Sequence, residues 1–290
     1  MDKDKQIQKV SKLSLEKLSE DSKLIKRGLR DLSIWPKIED VFNKLKEKYQ
    51  ADEIDECIKL CLEILETNPN HFLTLSYYGC CLKRKGEYDK AISTFNRALE
   101  IDPNYYVVYY SRGVSYHYKG EYNKAIFDYS KALEIETNDP DIYNNRGAAY
   151  YQKGEYDKAI SDYSKALEID SNYNYFFLWK FRGDSYYKMG EYEKALEDYK
   201  KSFALDSTNG AALDDMAQCS FLLGDFKGAY DYIDQAIQVE NESDMPMIRK
   251  AQFFEYQKRI SEAVEQYKKT LNKFPNSEYA KKKIVELSNN

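Results

Sequence analysis

An all-α fold built from repeated helix-turn-helix units is predicted by three features of this 290-residue sequence. The heptapeptide GEYDKAI, Gly86 to Ile92, returns unchanged as Gly154 to Ile160. Related stretches start at Gly120 (GEYNKAI), Gly190 (GEYEKAL) and Gly224 (GDFKGAY), so the steps are 34, 34, 36 and 34 residues. Each glycine is flanked by two stretches with apolar residues at helical spacing, such as VVYYSRGVSYHYK and YNKAIFDYSKALEI. Small residues also recur at fixed places in the period, where two helices can approach closely.

Extending the period by 34 in both directions finds weaker copies, DEIDECI from Asp52 and KRISEAV from Lys258. Seven units follow: 38–71, 72–105, 106–139, 140–173 with a two-residue insertion, 176–209, 210–243 and 244–277. Gly79, Gly113, Gly147 and Gly183 hold the eighth position, and Ala91, Ala125, Ala159, Ala195, Ala229 and Ala263 the twentieth. Phe95, Tyr129, Tyr163, Tyr199 and Tyr267, four places later, are expected to fill the space beside that contact. Ala98, Ala132, Ala166 and Ala236 provide a second close approach, toward the next unit. Pro69, Pro103 and Pro275 are expected to stop the second helix. Thr137, Ser171, Ser207 and Asn241 stand where the other units have proline, which predicts less sharply defined turns there.

This pattern, small at position 8, Ala at 20, aromatic at 24, Ala at 27 and Pro at 32, resembles the tetratricopeptide repeat. The resemblance spans about four fifths of the chain and is weakest in the end units, where position 8 is Leu45 and Ala251. It implies a right-handed superhelical solenoid with helical caps. Residues 1–37 then read as an N-terminal helical extension or cap, with Asp21-Ser22 between two helices and Pro36 ending the segment. A docking role anchored on Ile34-Trp35-Pro36 is the other reading of that segment. Residues 278–290 read as a C-terminal capping helix whose Lys281, Lys282 and Lys283 are solvated surface.

The formal net charge is -5, with both ends basic and the middle acidic, which argues against a chain whose main work is neutralising phosphates. Neither a transmembrane run nor a secretory leader is legible, so a cytoplasmic address is expected. Five cysteines, Cys57, Cys61, Cys80, Cys81 and Cys219, all fall on predicted helices and fit reduced thiols. Cys57, Cys61, Cys80 and Cys81 could conceivably hold a metal. Cys57 and Cys61, however, occupy the small and core positions of their unit, while neighbours on a helix such as Cys80 and Cys81 diverge by about 100°. No metal and no cofactor are expected.

A lone glycine after a helix does not make a phosphate loop, which needs several glycines and a preceding strand. With two histidines, His71 and His117, and no recognised catalytic pattern, the chain is expected not to be an enzyme.

If the units stack as the resemblance implies, positions 2, 5, 9 and 12 of the first helices line a concave groove. Those positions are Val107, Tyr110, Val114 and His117 in the third unit, and Asp141, Asn144, Ala148 and Tyr151 in the fourth. They are Phe177, Lys180, Asp184 and Tyr187 in the fifth, and Ala211, Asp214, Gln218 and Phe221 in the sixth. The candidate peptide-binding set is Tyr110, His117, Asn144, Tyr151, Phe177, Lys180, Tyr187 and Phe221. Aromatic faces suit an apolar or peptide ligand, an asparagine can bond a peptide backbone in both directions, and a lysine can meet a carboxylate. Some of the aromatics can equally be packing residues. Related chaperone-tail adaptors read an acidic C terminus with a Lys, Asn, Asn, Lys, Arg clamp. The matching register here holds Tyr110, Val114, Asn145, Phe177 and Phe181, of which only Asn145 fits. The insertion lies in SNYNYFFLWKF, residues 171–181, where Phe177 or Trp179 fills a changed interface or Tyr173 and Tyr175 offer a contact.

The functional expectation is a non-enzymatic scaffold or adaptor that binds a peptide or partner protein in the concave groove, without nucleic acid or membrane. A regulatory peptide sensor whose superhelix changes shape on binding is the alternative.

Overall fold

The structure, a computed structural model, describes residues 35–169, 176–240 and 242–288. The docking and capping readings of residues 1–34, and Tyr173 and Tyr175 of the insertion, lie outside the described residues. Within them the chain forms helices and no strand. The helices are α1 (Trp35–Gln50), α2 (Ile54–Thr67), α3 (Phe72–Arg84), α4 (Tyr88–Ile101), α5 (Tyr106–Tyr118), α6 (Tyr122–Ile135), α7 (Pro140–Gln152) and α8 (Tyr156–Ile169). They continue as α9 (Phe176–Lys188), α10 (Tyr192–Leu205), α11 (Gly210–Leu222), α12 (Phe226–Val239), α13 (Met245–Tyr256), α14 (Ile260–Lys273) and α15 (Glu278–Ser288). The chain divides into two compact units, Met1–Lys158 and Ala159–Asn290, and the division falls inside α8.

From α1 to α7, and again from α9 to α15, each helix packs on its neighbours in sequence. Odd-numbered helices also touch across one intervening helix, α3 with α5, α5 with α7, and α11 with α13. The first helices therefore lie side by side, as repeat architecture requires.

The glycine of each heptapeptide ends a helix. Gly86 has φ +76°, its N–H bonds the Lys83 carbonyl at 3.0 Å, and the Glu87 N–H bonds the Leu82 carbonyl at 2.9 Å. This paired closure satisfies carbonyls that the helix end leaves open, and it needs a left-handed residue that glycine supplies without a Cβ clash. Gly120, Gly154, Gly190 and Gly224 repeat it, with φ between +75° and +82°. In the end copies Asp52 and Lys258 take the same conformation, at φ 63° and 59°, with the same pair of closing bonds.

At the eighth position glycine has a different reason. A Cβ built on Gly113 would stand 2.8 Å from Cε1 of Tyr129, and on Gly183 2.9 Å from Cε1 of Tyr199. The ring that seals each unit thus lies directly on backbone. Phe95, Tyr129, Tyr163, Tyr199 and Tyr267 are all buried, as are the alanines at the twentieth position.

Pro36 sits in the first turn of α1, where its missing N–H costs nothing; the segment it was expected to end lies outside the described residues. Among the described residues the helices that lack a following proline keep the same end: α6, α10 and α12 end at Ile135, Leu205 and Val239, the same register as Ile101 of α4. Each closes, as α4 does, through the N–H of the next residue onto the carbonyl four places back. Finally, the terminal lysine run is not merely solvated, since Lys283 reaches Glu255 of α13 at 3.0 Å and so fastens α15.

A second set of contacts fastens one repeat to the next. Arg112 holds Asp128 with two bonds, Nε to Oδ2 at 2.8 Å and Nη2 to Oδ1 at 2.7 Å, and gives Nη1 to Asn96 of the preceding repeat at 2.6 Å. Arg182 repeats the arrangement with Asp198 at 2.7 and 2.8 Å and Ser164 at 2.9 Å. Asp128 and Asp198 are buried, and burial raises the Asp128 carboxyl against the pull of Arg112. Such planar two-point pairing is the geometry guanidinium provides and lysine does not.

Two measurements test these contacts. In urea denaturation, Gly113→Ala is expected to lose about 1–3 kcal/mol through overpacking against Tyr129. Lys258→Gly is expected to gain about 0.5–1 kcal/mol by relieving left-handed backbone, net of glycine's entropy. Arg112→Leu alone should cost about 3 kcal/mol by orphaning Asp128, and the double replacement with Asp128→Leu should cost less than that single change.

Candidate functional site

In the first compact unit the first-helix face is carried by α3, α5 and α7. Tyr110 of α5 is buried, with 2% of its surface exposed, and its Oη accepts a hydrogen bond from Asn145 Nδ2 at 3.0 Å. The same Nδ2 donates to the Asp141 carbonyl at 2.8 Å. Asn145, the one residue in register with the chaperone-tail clamp, is thereby committed to holding α5 against α7. His117 is half-buried, with its ring 5.3 Å edge-on from Tyr122. Tyr151, half-buried on α7, makes an edge contact with Tyr156 at 5.4 Å. Asn144 is half-buried too, and its Oδ1 accepts no hydrogen bond among the described residues.

In the second compact unit the corresponding face belongs to α9, α11 and α13. Phe177 and Phe221 are buried, at 5% and 7% exposed. Phe221 stacks on Phe253 at 4.2 Å and meets Phe226 and Tyr256 at 5.0 and 5.3 Å. Lys180 is already paired: its Nζ lies 3.0 Å from Asp184 Oδ1 and 3.0 Å from Asp215 Oδ2. Tyr199 donates its hydroxyl to the same Asp184 oxygen at 2.9 Å. Burial pulls the Lys180 ammonium down, but Asp215 and Asp184 outweigh it and hold it above the ordinary lysine value. Burial pushes the Asp215 carboxyl up to about 6, against the attraction of Lys180. Tyr187 reaches Gln218 at 3.5 Å, Gln218 donates to Asp214 at 2.9 Å, and Arg249 Nε meets Asp214 at 3.2 Å.

The structure places the expected residues unevenly. Tyr110, Phe177 and Phe221 are buried, Tyr110 and Phe221 against neighbouring helices, and Lys180 is paired with carboxylates of its own chain. His117, Asn144 and Tyr151 share the face of the first compact unit; Lys180 and Tyr187 belong to the second. Two features escaped the sequence reading although a signal existed. Arg112, Arg146 and Arg182 recur at position 7 and Asp128, Asp162 and Asp198 at position 23, the spacing of the arginine pairs. Asp215 and Arg249 stand one place beyond the positions taken as inner.

Cys57, Cys81 and Cys219 are held as thiols. Contact with Cys81 and burial push the Cys57 thiol far up, and burial takes Cys219 to about 12. Among the described residues no three His, Cys, Asp or Glu side chains are placed to hold a metal. No helix among them is long and apolar enough to cross a membrane.

Family models for the tetratricopeptide repeat match residues 60–93, 82–120, 113–154, 140–173, 177–209 and 247–277. The chain belongs to the tetratricopeptide repeat family. Among solved tetratricopeptide structures, the C-terminal part of a repeat-containing protein from Cytophaga hutchinsonii superposes with a TM-score of 0.71 at 18% identity. That match covers 84% of this chain and 99% of that one. The crystal structure of MamA is 26% identical, with a TM-score of 0.54 over 57% of this chain and 95% of that one. YrrB, described as a tetratricopeptide protein with an unusual peptide-binding site, is 19% identical with a TM-score of 0.59, over 66% and 97%. Comparison with curated proteins returns no match.

The buried carboxylate gives a measurable test of the second face. Because the fold raises the Asp215 pKa, the folded chain holds the extra proton between about 4 and 6, so this group's contribution to stability falls as pH rises through 6. Carbon-13 NMR should show the Asp215 carboxyl titrating near 6, and Lys180→Met should move its midpoint higher still.

Proposed function

We propose that this tetratricopeptide protein is a non-enzymatic scaffold that binds a peptide segment of a partner protein on the first-helix face of residues 35–158. The family consists of protein-interaction modules, generally without catalysis, which supports the coarser part of that reading. The observation that carries the finer part is Asn144. Its Oδ1 is a buried acceptor with no partner among the described residues, and an acceptor left unsatisfied is costly unless a ligand supplies the donor. An extended peptide presents such donors at regular intervals along its backbone. His117 and Tyr151 stand on the same face, in the same register of α5 and α7, and give aromatic surface for the peptide's side chains. The likeness to YrrB, whose description names a peptide-binding site, accords with this use of the fold. In the second compact unit, Lys180 and Tyr187 hold α9 against α11 and are assigned a structural role.

Peptides retained by the full chain from a synthetic random pool, resynthesised and measured by fluorescence anisotropy, test the reading. Asn144→Ala is expected to weaken them about 5- to 10-fold, the loss of one hydrogen bond, with the melting temperature unchanged or raised. A pool from which no peptide is retained, or equal affinity for both proteins, overturns it.

A further inference from the structure

The second repeat carries a lysine with no counter-ion among the described residues. Lys83 lies in the last turn of α3, and 93% of its surface is covered. Its Nζ has no hydrogen-bond partner among the described residues. Besides burial, the groups that act on it are the Cys80 thiol, which favours the ammonium, and a second cation, Arg84, which opposes it; the Arg84 guanidinium is taken by Asp52 at 2.7 Å and lies over the Tyr49 ring at 4.6 Å. Burial lowers the Lys83 pKa, and no carboxylate counters it. The negative end of α3 gives partial relief, but a terminal dipole is worth less than the cost of an unpaired buried ammonium. The contrast with the neighbouring lysines is sharp: Lys85 reaches Asp55 at 2.6 Å, Lys90 reaches Glu87 at 2.6 Å, and Lys119 reaches Asp89 at 2.6 Å.

Lys83 occupies position 12 of its repeat, the position held by His117 in α5 and Tyr151 in α7. Since α3 touches α5 and α5 touches α7, one row across the face carries an ammonium, an imidazole and a phenol. All three groups can donate hydrogen bonds to an anion. We propose that Lys83 is an anion-recognition site on this face, taking a carboxylate of the bound peptide, so that the scaffold selects acidic segments. The flexible four-carbon stem lets the ammonium swing to the ligand, and the incoming carboxylate supplies the charge that α3 lacks. This rests on the peptide-binding reading and adds the chemistry of the peptide.

The test uses the full chain and the same synthetic pool of random short peptides with free C termini. Wild type is expected to retain peptides enriched in acid. Lys83→Met, which keeps the length of the stem, is expected to lose that enrichment and to bind the resynthesised acidic peptides at least tenfold more weakly. Without ligand, the same variant should melt at an equal or higher temperature, because an uncompensated charge has been removed. Resynthesis with a C-terminal amide, or with Asp and Glu changed to Asn and Gln, identifies which carboxylate is read; a peptide indifferent to both changes overturns the proposal. Peptides retained without acid enrichment overturn this inference and leave peptide binding standing, and retention of none overturns both. A lower melting temperature in Lys83→Met would assign the lysine to the fold and sink the idea.

Discussion

The contact between a backbone and a ring sets the geometry of the central repeats. Where Gly113 faces Tyr129 and Gly183 faces Tyr199, no side chain separates the first helix from the aromatic of the second. The two helices of a unit therefore meet closely, and the ring is fully removed from water. Burying an aromatic of that size is worth about 1.5–3 kcal/mol, a sum recovered in each successive unit. The closure at the preceding turn matters because it fixes where the second helix starts. Were Gly86 or Gly120 replaced by a residue that avoids left-handed backbone, the ring would arrive out of register with its glycine.

Electrostatics divide between fastening and recognition. Arg112 and Arg182 each satisfy a buried aspartate within the repeat and a polar group on the repeat before it, so the charge is spent on fixing the step between units. Lys180 does the same through Asp184 and Asp215. Against this background of paired cations, Asn144 Oδ1 and the Lys83 ammonium have no partner among the described residues and share one face. A scaffold that spends most of its polar groups internally retains a few for a partner, and those few mark the face.

Much of the fold was legible because its determinants are local and periodic. Glycine at the turn, glycine or alanine at position 8 and the ring at position 24 each recur, so chance agreement is small, and even the degenerate turns at Asp52 and Lys258 were found by extrapolating the period. The groove reading fared differently. Periodicity tells which side of a helix a residue is on, but whether Tyr110 or Phe221 shows its face depends on which side chains lie beside it on the next helix. The pairing of Lys180 was hidden for a similar reason: Asp215 sits one residue away from the position assigned to the inner surface. The position-12 register contains Lys83, but its burial and its lack of a counter-ion among the described residues depend on the neighbouring helices and not on the period.

That each helix leans chiefly on its neighbours in sequence bears on how the chain reaches its structure. Few contacts require distant segments to find each other, so little loop-closure entropy is spent before the first stabilising contacts form. Any adjacent pair of repeats can serve as a nucleus, and ordering can spread outward in both directions. Loss of order can run the same way, repeat by repeat, because each unit's stabilising contacts are with its neighbours. The protein can thus give up one repeat without surrendering the rest.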